Sequence, residues 1–352
     1  MYKLKQTTED FQVTEITSLK IDKTNHRESY TYLLLKKKSR NTLDVIKQLA
    51  KKLNLKEKEI GFAGSKDKQA VTEQFISVPG TISKEKLDQV KIDNCHLTII
   101  GCGGQKISLG DLKGNEFVIV ARNLPDKLKI SPVEFIPNYF DEQRFSKNNT
   151  QIGRLILKRK FKEAAELTGY KDSSAHLLSY PNDGIGALKK LPPRLLRMYI
   201  NAFQSYVWNE TLSRYLELKA GELVKTKTSP LKRIKYSLGE FIFINLNAIK
   251  DRDTEFRIPL VGFSTEFKDL ILKETITNIL AEEEITIKEF IIKQLPQLTL
   301  EGEERRAWVK VEKLSIGKLM KDELNSGRKK VKIIFFLGKG SYATIAVRAL
   351  IS

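Results

Sequence analysis

One aspartate in this chain sits among residues that could make it chemically useful. It is Asp67, within the run Gly61-Phe62-Ala63-Gly64-Ser65-Lys66-Asp67-Lys68-Gln69-Ala70-Val71-Thr72-Glu73-Gln74. The run starts as a turn of small residues, where Gly61 and Gly64 allow backbone geometry or close approach that a side chain would forbid. It ends in alternation, with Thr72, Gln74, Ile76 and Val78 on one face and Val71, Glu73, Phe75 and Ser77 on the other, which predicts a half-buried strand. An acid therefore stands where a turn enters a sheet, between two lysines. A carboxylate so placed can serve as nucleophile or base. The same Gly-Ser-Lys-Asp-Lys composition also suits a solvated turn, and residue types alone leave both readings open.

The elements that must position this stretch can be read on either side of it. Residues 1 to 15 read as a turn and strand edge, with Glu9-Asp10-Phe11-Gln12-Val13-Thr14-Glu15 alternating polar and apolar groups. Tyr30 to Leu35 is a second strand candidate, closed by Lys36-Lys37-Lys38-Ser39-Arg40, which reads as a solvated strand end able to hold phosphates beside an RNA site. Thr42 fits a helix N-cap, followed by Leu43, Ile46, Leu49, Ala50 and Leu53 at helical spacing. Beyond Val78, Ser83 can cap a short helix through Val90. A strand from His96 to Ile100 then meets Gly101-Cys102-Gly103-Gly104, which lacks the spacing of a dinucleotide site and reads as a loop. Lys106 to Arg122 reads as a hairpin turning at Gly114-Asn115.

A second stretch with chemical potential is Pro137-Asn138-Tyr139-Phe140-Asp141-Glu142-Gln143-Arg144-Phe145. Asn138 and Gln143 carry the paired donors and acceptors that can read a base edge, Phe140 offers a flat apolar face, and Arg144 can engage a phosphate or an acid. A helix start with core aromatics is the structural alternative. From about residue 150 the texture is helical: Ile152 to Leu167 is amphipathic and basic, and Pro192-Pro193 precedes a longer pattern, Leu195 to Leu218. A further helix is expected near Ile285 to Lys293. The end returns to strand patterns, Lys332 to Leu337 and Tyr342 to Ile351, joined at Gly338-Lys339-Gly340.

Composition narrows the chemistry. The chain has 352 residues, long for one domain and comfortable for two. Its 62 Lys and Arg against 43 Asp and Glu leave a net charge of +19, which points to a polyanionic partner such as nucleic acid or an anionic membrane surface. The bland alternative is a lysine-rich chain with solvated charged faces. No apolar run reaches the roughly 20 residues that span a bilayer, and the first residues lack the apolar stretch of a signal peptide, so a cytoplasmic location is expected. Cys95 and Cys102 are the two cysteines, too far apart for a C-x-x-C motif, and His26, His96 and His176 are scattered, so neither a metal nor a disulfide is expected.

The run around Asp67 resembles the signature of the TruD family of tRNA pseudouridine synthases, a Gly-x-Ala-Gly-x-Lys-Asp-x-x-Ala-Val-Thr-x-Gln pattern with every fixed position present. Leu109-Gly110-Asp111-Leu112-Lys113-Gly114-Asn115-Glu116-Phe117 resembles a second family segment. Pro137 to Phe145 is similar to the family's P-N-Y-F-x-x-Q-R-F-G, with Ser146 in place of the final glycine. The helix carrying Ala202-Phe203-Gln204-Ser205-Tyr206-Val207-Trp208-Asn209 and the ending Gly340-Ser341-Tyr342-Ala343-Thr344 also resemble the family in the same order. The resemblance implies an α+β fold: a catalytic domain with a mixed, largely antiparallel sheet, built from residues 1–150 and 306–352 and interrupted by a helix-rich α/β insertion domain, 151–305. It implies an isomerase that converts a tRNA uridine, associated with position 13, to pseudouridine on a flipped-out base, without a cofactor. A catalytically inactive RNA-binding or chaperone protein on the same scaffold is the alternative. By the same resemblance Asp67 is catalytic, and Phe140 supplies the stacking face with Asn138 and Phe11 beside the base. Lys66, Gln143 and Arg144 are supporting residues. Lys5 matches a lysine beside the aspartate and ranks above Lys66 as its partner, since Lys66 and Lys68, as neighbours of Asp67, cannot both reach the carboxylate from an extended backbone. Gln74 and Thr72 are candidates to brace the site from behind. The expected partner is tRNA, with other RNA open, and a monomer is favoured.

Overall fold

The computed structural model describes residues 2–19, 21, 29–128, 130–145, 148–224, 231–246 and 253–351. His26 and Ser146 lie outside the described residues. The chain divides into two compact units, Met1–Pro132 with Lys310–Ala343 and Leu350–Ser352, and Val133–Val309 with Thr344–Ala349.

The first unit is built on one sheet. Its strands are β1 (Phe11–Thr17), β2 (Tyr30–Lys38), β3 (Gly61–Phe62), β4 (Val71–Pro79), β5 (Cys95–Gly103) and β6 (Leu112–Leu124), joined by two C-terminal strands, Trp308–Ile316 and Lys329–Gly338. The order is β5-β2-β4-β1-β6, then Lys329–Gly338, then Trp308–Ile316, with β3 paired to β4. The pairings registered along this path are antiparallel except β1 with β4. Helix α1 (Thr42–Leu53) lays Val45, Ile46, Leu49, Ala50 and Leu53 in one buried cluster with Leu33 and Leu35 of β2, Ile76 and Val78 of β4 and Leu87 of the short α2 (Lys84–Asp88), which Ser83 caps. Its apolar positions recur at helical spacing while the strands alternate, so both patterns point into the same core.

Several details differ from the sequence expectations. Asn41, not Thr42, caps α1: its Oδ1 accepts from the Leu43 amide, Asn being at least as good a cap as Thr, which frees the Thr42 hydroxyl. Gly114-Asn115 is no turn, because β6 runs straight through it with Gly114 opposite both Ile16 and Gly338. A Cβ at Gly114 would come 2.1 Å from the Leu337 carbonyl, so this glycine serves close strand approach. Gly101 to Gly103 belong to β5, where Gly103 leaves room for Tyr32, whose hydroxyl would meet an added Cβ at 2.5 Å and whose ring would meet it at 2.6 Å. Ala343–Leu350 is a helix; its apolar positions are nearly continuous, a pattern that periodicity cannot assign to strand or helix.

In the second unit α7 (Pro193–Val224) packs against α3 (Asn149–Leu157) and α8 (Leu270–Glu282), while α4 (Phe161–Thr168) packs on α3 and carries α5 (Lys171–Ser179) and α6 (Gly184–Lys189). The long basic pattern after residue 150 is thus two helices, broken where Arg159 takes a left-handed φ of 62°. Leu196, Tyr199, Ile200, Phe203 and Val207 of α7 join Ile152 and Ile156 of α3 and Ile276 and Ile279 of α8 in its core. The helix expected near Ile285 is a 3-10 turn, Ile287–Phe290. Two antiparallel pairs complete the unit, Lys232–Tyr236 with Gly239–Phe243 and Arg257–Leu260 with Glu303–Arg306.

A buried charge cluster ties the chain's start to the first sheet. Arg122 Nε donates to both Asp10 oxygens at 2.8 and 2.9 Å, and its Nη1 reaches Asp322 Oδ1 at 2.9 Å; all three residues are at most 6% exposed. Burial alone would raise the Asp322 carboxyl, but the amides of Asn123 and Leu324, the Asn325 side chain and Arg122 outweigh it and hold it well below the usual carboxylate range. Arg122→Met would strand two buried carboxylates and should lower stability by about 3–5 kcal/mol in a denaturant titration. A carboxyl depressed in the folded state adds stability that is full above its unfolded value of about 4 and fades as pH falls through and below it. Acid unfolding should therefore be steeper for the natural protein than for Arg122→Met; identical acid limbs would contradict the account.

Candidate active site

Because β1 and β4 are parallel, with Gln12 beside Val71 and Val13 beside Thr72, both strands begin at the same end of the sheet. Antiparallel β2 finishes there, Lys38 facing Val71. The loops that precede Phe11 and Val71 and the one that follows Lys38 therefore converge, which is how the first residues of the chain reach the Asp67 loop.

Asp67 is 30% exposed at its side chain, and Lys5 Nζ stands 3.3 Å from its Oδ2. The same ammonium lies 4.2 Å from the centroid of the Phe11 ring, itself 2% exposed, so Lys5 is held between a carboxylate and an aromatic face. Lys5 takes a left-handed φ of 56°, and its neighbours are pinned. Lys3 pairs backbone to backbone with Arg122, Gln6 accepts from Asn325, and Asp10 closes the 3-10 turn Thr8–Asp10 by accepting from the Thr7 amide at 2.8 Å. The Arg122 cluster thus fixes the approach of Lys5.

The Asp67 loop is held from beneath by buried side chains. Gln74 Nε2 donates to the Gly64 carbonyl at 3.1 Å, and its Oε1 accepts from the Thr42 hydroxyl at 3.0 Å, whose oxygen takes the Lys66 amide at 3.1 Å. Gln74 braces the loop as its strand face suggested; Thr72, on the same face, has a buried hydroxyl without a hydrogen-bond partner. Lys66 turns away from Asp67 and forms an ion pair with Glu15 of β1, which is fully buried at its side chain. Lys37, 1% exposed, donates from Nζ to the carbonyls of Arg40 and Asp67, both at 2.9 Å, and to that of Lys66 at 3.4 Å. Burial lowers its pKa to about 8, opposed in part by the Asp67 charge.

The other candidate residues lie in the second unit. Asn138 and Phe140 are 7% and 8% exposed. Asn138 Nδ2 donates to the Arg306 carbonyl at 3.1 Å, while its Oδ1 and its carbonyl both accept from Arg305 at 2.8 Å. The Arg305 guanidinium lies over the Phe140 ring, 4.1 Å from its centroid, and the Trp208 ring meets Phe140 edge-on at 5.6 Å. Asn209 clamps the Phe140 backbone on both sides, accepting its N–H and donating to its carbonyl, each at 2.9 Å. Arg144 donates to Ser205 and approaches Phe140, and Gln143 is exposed. Of the polar residues in the α7 motif, Asn209 holds the Phe140 backbone, Ser205 accepts from Arg144, and Gln204 donates to the Val261 carbonyl.

The model for tRNA pseudouridine synthase D (TruD) matches residues 2–176 and 169–350. The chain belongs to the TruD family. It is 29% identical to a Methanosarcina acetivorans protein over 98% of this chain and 91% of that one, and 31% identical to a Methanococcus maripaludis protein over 98% of both; each is named probable tRNA pseudouridine synthase D. The crystal structure of a Methanosarcina mazei protein named as tRNA pseudouridine synthase D superposes with a TM-score of 0.70 at 25% identity, covering 99% of this chain and 92% of that one. The α+β fold with its mostly antiparallel sheet is thus the TruD fold. No described helix is long and apolar enough to cross a membrane.

Within this TruD chain, sequence reasoning missed Lys37, Glu15 and Arg305. Lys37 was detectable: Leu33, Leu35 and Lys37 share one face of β2, and the buried alternation runs on through the lysine. The two lysines nearest Asp67 should separate in experiment. Lys66→Met leaves Glu15 buried without its ammonium and should cost about 3–5 kcal/mol, whereas Lys5→Met removes a partly exposed pair and should cost under about 1 kcal/mol. Equal losses in chemical denaturation would refute this division.

Proposed function

We propose that the protein is a tRNA pseudouridine synthase that isomerises a uridine, at position 13 of tRNA, with Asp67 as the catalytic group. The observation that carries the reading is the Asp67 carboxylate, partly exposed and paired with Lys5 over Phe11, on a loop whose backbone is fixed from beneath. The names of the relatives support the reaction class. The isomerisation breaks the N1–C1′ bond of the uridine and forms a C5–C1′ bond to the same ribose; C5 loses a proton and N1 gains one. It is redox-neutral and needs no outside energy source. A carboxylate suits it, able to attack carbon and leave again or to take the C5 proton. Lys5 balances the charge at the carboxylate and holds it in one place.

The base must leave its stack, at a cost of roughly a few kcal/mol, repaid by stacking and edge hydrogen bonds. Phe140 and Asn138 are assigned to that task, with Arg144 and Gln143 supporting and the net charge of +19 favouring the RNA backbone. A base that takes the ring face now covered by Arg305 displaces the guanidinium from it. A cytoplasmic location accords with a tRNA substrate.

The test is to incubate the protein with tRNA transcripts and map pseudouridine by carbodiimide-dependent primer extension, beside Asp67→Asn. Product should form at uridine 13 and fall at least about 10³-fold in the variant. Product persisting in Asp67→Asn would remove Asp67 from the mechanism, and product confined to another position would overturn the assigned target. Tight tRNA binding without product on any RNA would favour an inactive RNA-binding protein.

A further inference from the structure

We propose that Lys37 is a positioning residue for Asp67: its sealed ammonium sets where the carboxylate stands by gathering the loop's carbonyls, and it does so only while protonated. The inference rests on the reading of Asp67 as the catalytic group.

Lys37 sits at the end of β2 opposite Thr72, and its side chain enters the protein beneath the Asp67 loop. An ammonium has three donors and no acceptor. The carbonyls of Arg40, Lys66 and Asp67 match those three donors, and two of them belong to consecutive residues of the catalytic loop. Consecutive carbonyls of an extended chain point in opposite directions, so the backbone must curl around the cation for both to reach it. That curl fixes the direction in which the Asp67 side chain leaves the loop. Neither Thr42 nor Gln74 does this, since they bind the Lys66 amide and the Gly64 carbonyl, upstream of Asp67.

The charges around Lys37 leave it poised. From the loop, Asp67 favours its protonated form and Lys66 opposes it; from β5, Cys95 favours it. Arg40, which follows β2, and Asp93, which precedes β5, act on the same pocket through Cys95, the first lowering and the second raising its thiol pKa, while burial raises it most. The direct acceptors are all main-chain carbonyls, so the cation is solvated by the loop it shapes. A neutral amine keeps two donors and turns a lone pair toward a carbonyl oxygen. Loss of the proton therefore releases one carbonyl and repels it. Burial already brings that event down to a pH of about 8.

The experiment compares the natural protein, Lys37→Arg and Lys37→Met in single-turnover pseudouridine formation across the alkaline range, with hydrogen-exchange mass spectrometry of the segment spanning residues 61–72 on the RNA-free proteins. Lys37→Met should lower the single-turnover rate about 10²-fold, the effect of a small misplacement, while tRNA affinity stays within about twofold. Lys37→Arg should be slower than the natural protein near neutral pH, yet keep its rate into more alkaline solution, because a guanidinium stays charged there. In the natural protein, loop protection, corrected for intrinsic exchange, should drop as pH passes about 8; in Lys37→Arg it should not. A shared alkaline limb in the natural protein and Lys37→Arg, or unchanged rate and protection in Lys37→Met, would overturn the proposal. Should Lys37→Met fail to fold, the Lys37→Arg comparison decides alone. If the natural protein makes no product, the functional reading fails, and the exchange data still decide whether Lys37 holds the loop.

Discussion

The arrangement depends on one pairing, the parallel contact of β1 with β4. In a sheet whose other registered neighbours run antiparallel, this contact sets two strand beginnings side by side, Phe11 next to Val71 within one residue of register. Had the two strands run antiparallel, the loop before β1 would lie at the opposite end of the sheet from the loop before β4. With 3.3 Å per residue along a strand, the seven residues of β1 would then hold Lys5 more than about 20 Å from Asp67. The ion pair that marks the site is thus a consequence of topology before it is one of side-chain chemistry.

Around that pairing, charge is sorted by depth. Buried pairs such as Lys66 with Glu15 and Arg122 with Asp10 and Asp322 fix backbone segments, the Arg122 cluster through several bonds at once. The pair at the Asp67 loop, Lys5 with Asp67, is longer and partly exposed. Such sorting follows from desolvation: a fully buried charge must be paired or multiply hydrogen-bonded to be tolerated, while an exposed pair is under no such demand. The second unit repeats the theme with neutral groups, where Asn209 satisfies both backbone atoms of Phe140 and leaves that ring's position fixed by hydrogen bonds as well as packing.

Much of this was legible in the amino-acid order, for definable reasons. The Asp67 run combined turn residues with period-two alternation, and β4 carries that alternation with Thr72, Gln74, Ile76 and Val78 buried. Lys5 as the partner of Asp67 followed from resemblance, and no local pattern could have joined residues separated by the whole of β1 and β2. Glycine misled twice, because Gly103 and Gly114 serve close approach inside strands while sequence reads glycine first as a turn. Arg305 could not be found because its role is set by a strand pairing, Arg257–Leu260 with Glu303–Arg306, whose two halves are far apart in the chain. Lys37 hid in plain composition: three consecutive lysines suggest solvent, yet only Lys36 and Lys38 face it.

The strand Lys329–Gly338 lies between β6 and Trp308–Ile316, and Asp322 completes the cluster that steadies Lys5. A ribosome delivers β1, β2 and the Asp67 loop early and these pieces late, with Val133–Val309 of the second unit made in the interval. The nascent first unit therefore exposes an edge of β6 and an Arg122 that has Asp10 but not Asp322 throughout that interval, a state that invites chaperone capture. The cluster that steadies Lys5 is therefore completed only after that long interval, so the approach of Lys5 to Asp67 is settled late in the making of the fold.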